Sequence, residues 1–203
     1  MITKAQEYRL QNEAAFAVHP KLSMLERSML RWAIIDPGDK VLDVNPKNGS
    51  LLGYLARHME CDICGISGNM ESVKQTRICL QNADVLYAHA EDIPWRDNSF
   101  HTVFLRKTKL DDFNWKQSLK EALRVLKPGG QLLVGINEMA VLRRLATNIF
   151  GDGVEGDPYS LQGKAEWMKA LTEAGYRDVT WQSTGFASSV AIAWKPLEKE
   201  LEA

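Results

Sequence analysis

Lys40–Ser67 reads KVLDVNPKNGSLLGYLARHMECDICGIS, and this stretch decides the fold. Lys40–Val44 is a short apolar run, the pattern of a strand buried on both faces. Ser50–Met59 reads as a helix, and Asp62–Ile66 is a second apolar run. Downstream the alternation continues. Asn69 is an N-cap for a helix running to Leu80, and Val85–His89 is a third strand. After the turn Asp97-Asn98-Ser99, Thr102–Leu105 is a fourth. Trp115–Leu126 is a helix ended by Lys127-Pro128-Gly129-Gly130, and Gln131–Ile136 is a fifth strand. Strands alternating with helices at this spacing predict a parallel sheet covered on both faces.

Upstream, Leu22, Leu25, Met29 and Trp32 share one face of a helix that stops at Asp36-Pro37-Gly38. The first nineteen residues are polar and weakly helical. The last third differs from the centre. Met139–Ile149 looks helical, and Gly151–Ser160 (GDGVEGDPYS) is a loop. Ala165–Ala174 is a helix ended by Gly175. Asp178–Gln182 and Ser188–Trp194 are two strands joined around Gly185, a hairpin that closes an otherwise parallel sheet.

Composition narrows the function classes. The 203 residues are 45% hydrophobic and 25% charged, with 25 basic against 26 acidic side chains. That apolar fraction and a net charge of −1 exclude a disordered chain. They also give no global attraction to nucleic acid or to an anionic membrane. The N-terminal stretch lacks the continuous apolar core of a signal peptide. No run reaches the ~20 apolar residues that span a bilayer. Three cysteines, Cys61, Cys64 and Cys79, suit reduced thiols in a cytoplasm.

Three segments together resemble the class I S-adenosylmethionine-dependent methyltransferases, in the branch that includes the quinone-biosynthesis enzymes. Val41–Ala56 (VLDVNPKNGSLLGYLA) looks like the family's glycine-rich first motif. Ala90–Phe100 (AEDIPWRDNSF) is similar to its stretch before strand four, and Glu121–Gly130 (EALRVLKPGG) to its turn into strand five. EWMKALTEAGYRDV, which runs from 166 to 179, looks like the closing helix and the start of the hairpin. The resemblance implies an α/β fold: a Rossmann-like, doubly wound, seven-stranded sheet, mostly parallel with the last strand antiparallel. It divides the chain into an N-terminal helical segment or lid (1–36), a methyltransferase-like domain (37–195) and a tail (196–203).

It also implies S-adenosylmethionine as the cofactor, lying over the carboxyl ends of the strands at the topological switch point. In the family a glycine-rich turn after strand one, an acid ending strand two and an Asp-Ala pair after strand three hold this donor. This sequence departs at each place. The turn is Asn45-Pro46-Lys47-Asn48-Gly49, where only Gly49 of three alternate glycines remains. Ser67 stands in for the acid and His89 for the Asp, while Asp43, Ala90 and Glu91 survive. Two readings of the turn stay open: another backbone shape, or a pocket whose ligand has changed. The losses at 67 and 89, with a gain at Lys47, shift charge toward an anionic or neutral ligand. Beyond strand four, Arg106 and Lys107 have two open readings, facing the crevice and adding to that shift or facing solvent, while Lys109 reads as solvent-facing.

Other motifs carry less. Cys61-Asp62-Ile63-Cys64 lacks the second pair of ligands that zinc wants, and its cysteines read as buried thiols. His19, His58, His89 and His101 are scattered, so no metal site is expected. G-x-S-x-G, P-loop and G-x-G-x-x-G signatures are missing. No residue is assigned as catalytic. One reading is methyl transfer to a small molecule under a lid made of Met1–Pro20 and Gly151–Ser160. The alternative is a methyltransferase fold without transfer activity, a binding or assembly module with a protein partner or as a homodimer.

Overall fold

The apolar runs pair into one sheet. A computed structural model describes residues 22–107, 114–137, 163–184 and 188–197. Its strands are β1 (Lys40–Val44), β2 (Asp62–Ser67), β3 (Asp84–Tyr87), β4 (Phe100–Lys107), β5 (Leu126–Asn137), β6 (Arg177–Ser183) and β7 (Ser188–Trp194). Its helices are α1 (Met24–Trp32), α2 (Ser50–Met59), α3 (Met70–Cys79), α4 (Trp115–Val125) and α5 (Lys164–Glu173). The seven strands lie in the order β3-β2-β1-β4-β5-β7-β6. Strands β1 to β5 pair in parallel, and β7 runs antiparallel between β5 and β6. The expected doubly wound sheet with a closing hairpin is what forms. The links at 138–162, with the expected helix Met139–Ile149 and loop Gly151–Ser160, lie outside the described residues. So do the lid residues Met1–Pro20 and the turn around Gly185.

Strand residues alternate between two cores, as a pleat with period two requires. Leu42, Val44, Val103, Leu105, Leu132 and Val134 pack with α4 and α5 on one face. Val41, Ile63, Phe104 and Leu133 pack with α1, α2 and α3 on the other. Leu22, Met29, Leu30, Ala33 and Ile35 belong to that second core, so the described part of the N-terminal segment is built into the domain. Cys61 and Cys64 are buried in opposite cores. Burial pushes both thiols up to about 12, which makes them inert at neutral pH.

Three strands differ from the sequence reading by more than one residue at a boundary. β3 ends at Tyr87 rather than His89, because Asp92 N–H donates to His89 O and closes a turn there. β4 is longer than expected at both ends, Phe100–Lys107. Lys127-Pro128-Gly129-Gly130 is not a turn ahead of the strand but a bulge inside it. Phe100 pairs with Leu126 and Thr102 with Gln131, so the four residues loop out within the ladder. The bulge is tied to the end of β7: Gly129 N–H donates to Lys195 O, and Lys195 N–H donates to Gly130 O. Gly130 is required by space, since a Cβ there would lie 2.8 Å from Lys127 O and 3.0 Å from His101 O.

Arg124 explains why the two motifs at 90–100 and 121–130 occur together. Its guanidinium donates to Glu121, Asp97 and the carbonyls of Ile93 and Trp95, while Ile93 N–H donates to Glu121. The segment between β3 and β4 is thereby strapped onto α4 by a fork whose planar donors suit several oxygens at once.

Candidate functional site

The site begins with strand parity. Asp43 and Arg106 stand at the carboxyl ends of the adjacent strands β1 and β4, both on the face that carries α1. Asp43 is fully buried and Arg106 is 2% exposed. Arg106 Nη2 donates to Asp43 Oδ2 at 2.6 Å and to the Asn45 carbonyl at 2.9 Å. Its Nη1 donates to Glu26 Oε1 on α1. Glu26 also accepts from the Ser50 hydroxyl at 2.9 Å and from Ser23 N–H at 2.7 Å, the latter being half of the capping box that starts α1. One buried guanidinium thus serves two buried carboxylates and one turn carbonyl.

The two acids titrate in opposite directions. Burial pushes Glu26 up, but Arg106 and the hydrogen bonds from Ser23 and Ser50 together outweigh it and hold the carboxyl below its ordinary value. Asp43 is pushed up to about 6, by burial first and by the nearby Glu26 charge, against the pull of Arg106. The physical difference is solvation by protein groups: Asp43 Oδ1 is buried with no hydrogen-bond partner. Arg106 is held above its ordinary value: burial alone would lower it, but the two carboxylates prevail.

Above this cluster lies the turn. Asn45, Lys47 and Gly49 have φ of 70°, 55° and 74°. The three alternate positions all adopt the left-handed backbone that glycine favours, so the turn keeps a glycine-type shape and has not taken another one. Each non-glycine residue there costs about 1–2 kcal/mol, asparagine least. The surroundings hold the shape. Lys47 O accepts from Ser72 Oγ at 2.7 Å and Thr76 Oγ1 at 3.1 Å, and Asn45 N–H donates to Ile66 O. Gly49 is needed for space as well as φ, since a Cβ would lie 2.9 Å from Thr76 Cγ2.

The remaining sequence candidates fall in two groups. Ser67, at the end of β2, is buried; its hydroxyl donates toward Asn45 Oδ1 at 3.4 Å and accepts from Asn69 N–H at 3.1 Å. His89 is exposed, with its ring against Gly68 and edge-on to Tyr87. Asp43, Asn45, Lys47, Gly49, Ser67, His89 and Arg106 therefore cluster at the rim. Ala90 and Glu91 make contacts on the segment after β3. The Ala90 methyl is in the core, and Glu91 Oε1 accepts from Asn114 N–H at 2.7 Å, holding the start of α4.

The expected gain of positive charge is corrected here. Arg106 is buried and paired with two carboxylates, so its charge is spent on them and not offered to a ligand. With both acids ionised the buried cluster carries a net negative charge. Lys109 and the side chain of Lys107 lie outside the described residues. A cleft of about 600 Å³ opens beside the turn, between the start of α1 and α3, and brings Lys47 together with Glu26 and Glu71. Its charged lining is thus two acids and one lysine.

Glu26 is the residue that sequence reading missed. The signal was present: it sits four residues after Leu22 and three before Met29, on the apolar face of its helix. A charge in that stripe must find a buried partner. Among the described residues no group of three or more His, Cys, Asp or Glu is placed to hold a metal. No described helix is long and apolar enough to cross a membrane.

Comparison with known proteins agrees with the geometry. Residues 42–134 match the family model described as methyltransferase domain. The ubiquinone/menaquinone biosynthesis C-methyltransferase of Shewanella pealeana is 29% identical over 64% of this chain and 54% of its own length. This chain thus spans about half the length of the first curated relatives it matches. The enzyme of the same description from Rhizobium meliloti is 27% identical over 94% of this chain and 85% of its own. A methyltransferase of Methanosarcina mazei, solved as S-adenosylmethionine-dependent, superposes with a TM-score of 0.64 at 20% identity, covering 81% of this chain and 95% of that one.

Proposed function

We propose that this relative of the class I S-adenosylmethionine-dependent methyltransferases binds that donor over the carboxyl ends of β1, β2 and β4, and transfers its methyl group to a small molecule. The observation that carries the reading is the turn. Its left-handed backbone persists at Asn45 and Lys47 although neither is glycine. Strain of this kind survives where the surrounding structure holds it, and it concentrates at ligand clamps.

The residues present fit the donor unevenly. At the turn, the backbone of Asn45–Gly49 has the shape for close approach. The buried Asp43 and Glu26 supply negative charge beneath a ligand that is cationic overall, and such charge acts strongly where water is excluded. At the end of β2 the fit is weaker. Ser67 offers a neutral hydroxyl already engaged with Asn45 and Asn69, where the family has a carboxylate for the ribose hydroxyls. Donor affinity on this reading comes from the turn and the acids under it.

When bound, the sulfonium supplies an already activated methyl group. The work of this chain is then to orient donor and acceptor in line and to exclude water. Arg106 keeps the turn in place through the Asn45 carbonyl, and Asp43 and Glu26 keep Arg106 in place. The curated relatives act in ubiquinone and menaquinone biosynthesis, so a demethylated quinone ring is the first acceptor to assay.

Isothermal titration with S-adenosylmethionine and S-adenosylhomocysteine tests the reading. Binding at roughly micromolar Kd is expected. No heat and no thermal shift at millimolar ligand would overturn it in favour of a binding or assembly module.

A further inference from the structure

The buried Glu26–Arg106 pair joins the start of α1 to the rim of the sheet. Helix α1 is fastened to the sheet at both ends. Near its C-terminal end Gln131 bridges the chain, accepting from Ile34 N–H at 2.9 Å and donating to Trp32 O at 3.2 Å. In the same region the Met29 sulfur lies where a Cβ on Gly135 would come within 2.5 Å of it. At its N-terminal end the fastening is Glu26, and Glu26 reaches the first residue of α2 through Ser50 and the rim through Arg106. Arg106 then donates to the carbonyl of Asn45, the first of the three left-handed residues.

We infer that Arg106 and Glu26 are positioning residues, a latch through which docking of the start of α1 holds the turn in its strained, ligand-ready shape. The physical case rests on the geometry of the fork. Arg106 has one planar guanidinium, and Glu26 and Asp43 fix it from two sides, so the donor aimed at the Asn45 carbonyl has one direction left. Removing the Glu26 charge frees the fork to turn toward Asp43 alone, and the carbonyl loses its fixed partner. By linkage, whatever ligand the turn binds must then also tighten α1. The inference deepens the donor-binding reading above and rests on it for the identity of the ligand, but the latch has a ligand-free signature of its own.

The test uses the full chain, with S-adenosylhomocysteine as probe. Glu26→Gln keeps the shape and removes the charge. Ser23→Ala opens the cap at the same helix end while leaving Arg106 paired, and Arg106→Lys keeps a charge but lacks the fork. Hydrogen exchange is followed in peptides spanning 40–52 and 24–33. The expected result is faster exchange across the turn in Glu26→Gln and Arg106→Lys, and no change there in Ser23→Ala, without ligand. With the probe, wild type gains protection in α1. Glu26→Gln loses that gain, and its affinity falls by about tenfold, within the usual range of coupling between sites. Ser23→Ala binds within about twofold of wild type. Turn exchange that is unchanged in Glu26→Gln and Arg106→Lys, or moved equally by Ser23→Ala, overturns the latch. A wild type that ignores the probe while the ligand-free pattern holds would remove the donor reading and leave the latch standing.

Discussion

Arg124 and Arg106 each gather two carboxylates, and the contrast between them separates scaffold from site. Arg124 is 31% exposed and draws on Glu121, three residues away, and on Asp97 in the neighbouring strap. At that exposure water and salt share its work. Arg106 is 2% exposed, and its partners come from α1 and β1. Arg106 is the cation that both of those carboxylates bind directly. The first arrangement strengthens a fold that its apolar cores already specify. The second makes the rim depend on a contact between segments distant in sequence.

The sharpest way to break this comparison is to remove each arginine in turn. Arg106→Met strands two buried carboxylates and is expected to lower stability by about 3–5 kcal/mol, read from urea denaturation at neutral pH. A loss no larger than that of the equivalent Arg124 variant would show that the buried cluster is not what sets the rim apart.

The next effect is a pH dependence. Asp43 titrates near 6 in the fold against an ordinary 3.8, so the folded state holds this proton more tightly than the unfolded chain. Its contribution to stability is fully present below about 4 and falls as pH rises to about 6, by roughly 3 kcal/mol at most. Glu26, held below its ordinary 4.5, contributes the other way: its stabilisation is present above that value and lost as pH falls. Asp43→Asn keeps the oxygen that Arg106 needs and removes the titration. The stability of the variant relative to wild type should therefore climb between pH 4 and 6 and level off above. A difference that is flat across the window would place the Asp43 charge elsewhere than in this cluster.

Arg124→Met comes third. It should cost about 1–2 kcal/mol, the scale of a few part-exposed hydrogen bonds, and leave probe binding unchanged in titration. The smallest effect is expected at the turn. Lys47→Gly relieves left-handed strain but adds freedom to the unfolded chain, so a gain of at most about 1 kcal/mol is expected, with probe binding retained or tightened. Clearly weaker binding would mean that the Lys47 side chain itself holds the ligand.

Much of the scaffold is legible in the sequence. Asn69 caps α3 as its sequence position suggests, accepting from Glu71 and Ser72 N–H groups. The apolar runs fell on strands because continuous burial leaves no polar alternation to read otherwise. Boundaries slipped where a hydrogen bond across space overrode local chemistry. Lys127–Gly130 has the composition of a turn, yet the end of β7 pulls it into a bulge of β5. At the site, the turn positions are visible in the first motif, but the balance of charge depends on contacts distant in sequence. The pairing of Arg106 is not legible in the sequence because its partner Glu26 stands 80 residues away.

The sequence by itself determined the succession of strands and helices and the two-faced sheet, because those follow from short-range periodicity and local caps, and its motifs carry the methyltransferase resemblance. Only the tertiary structure decided that Asn45 and Lys47 keep the backbone of absent glycines, and that Glu26, Asp43 and Arg106 share one buried charge cluster. The reason is that burying a charge is tolerable only beside its counter-charge. Which counter-charge arrives depends on how α1 and the ends of β1 and β4 pack, and no local pattern in any one of them encodes that meeting.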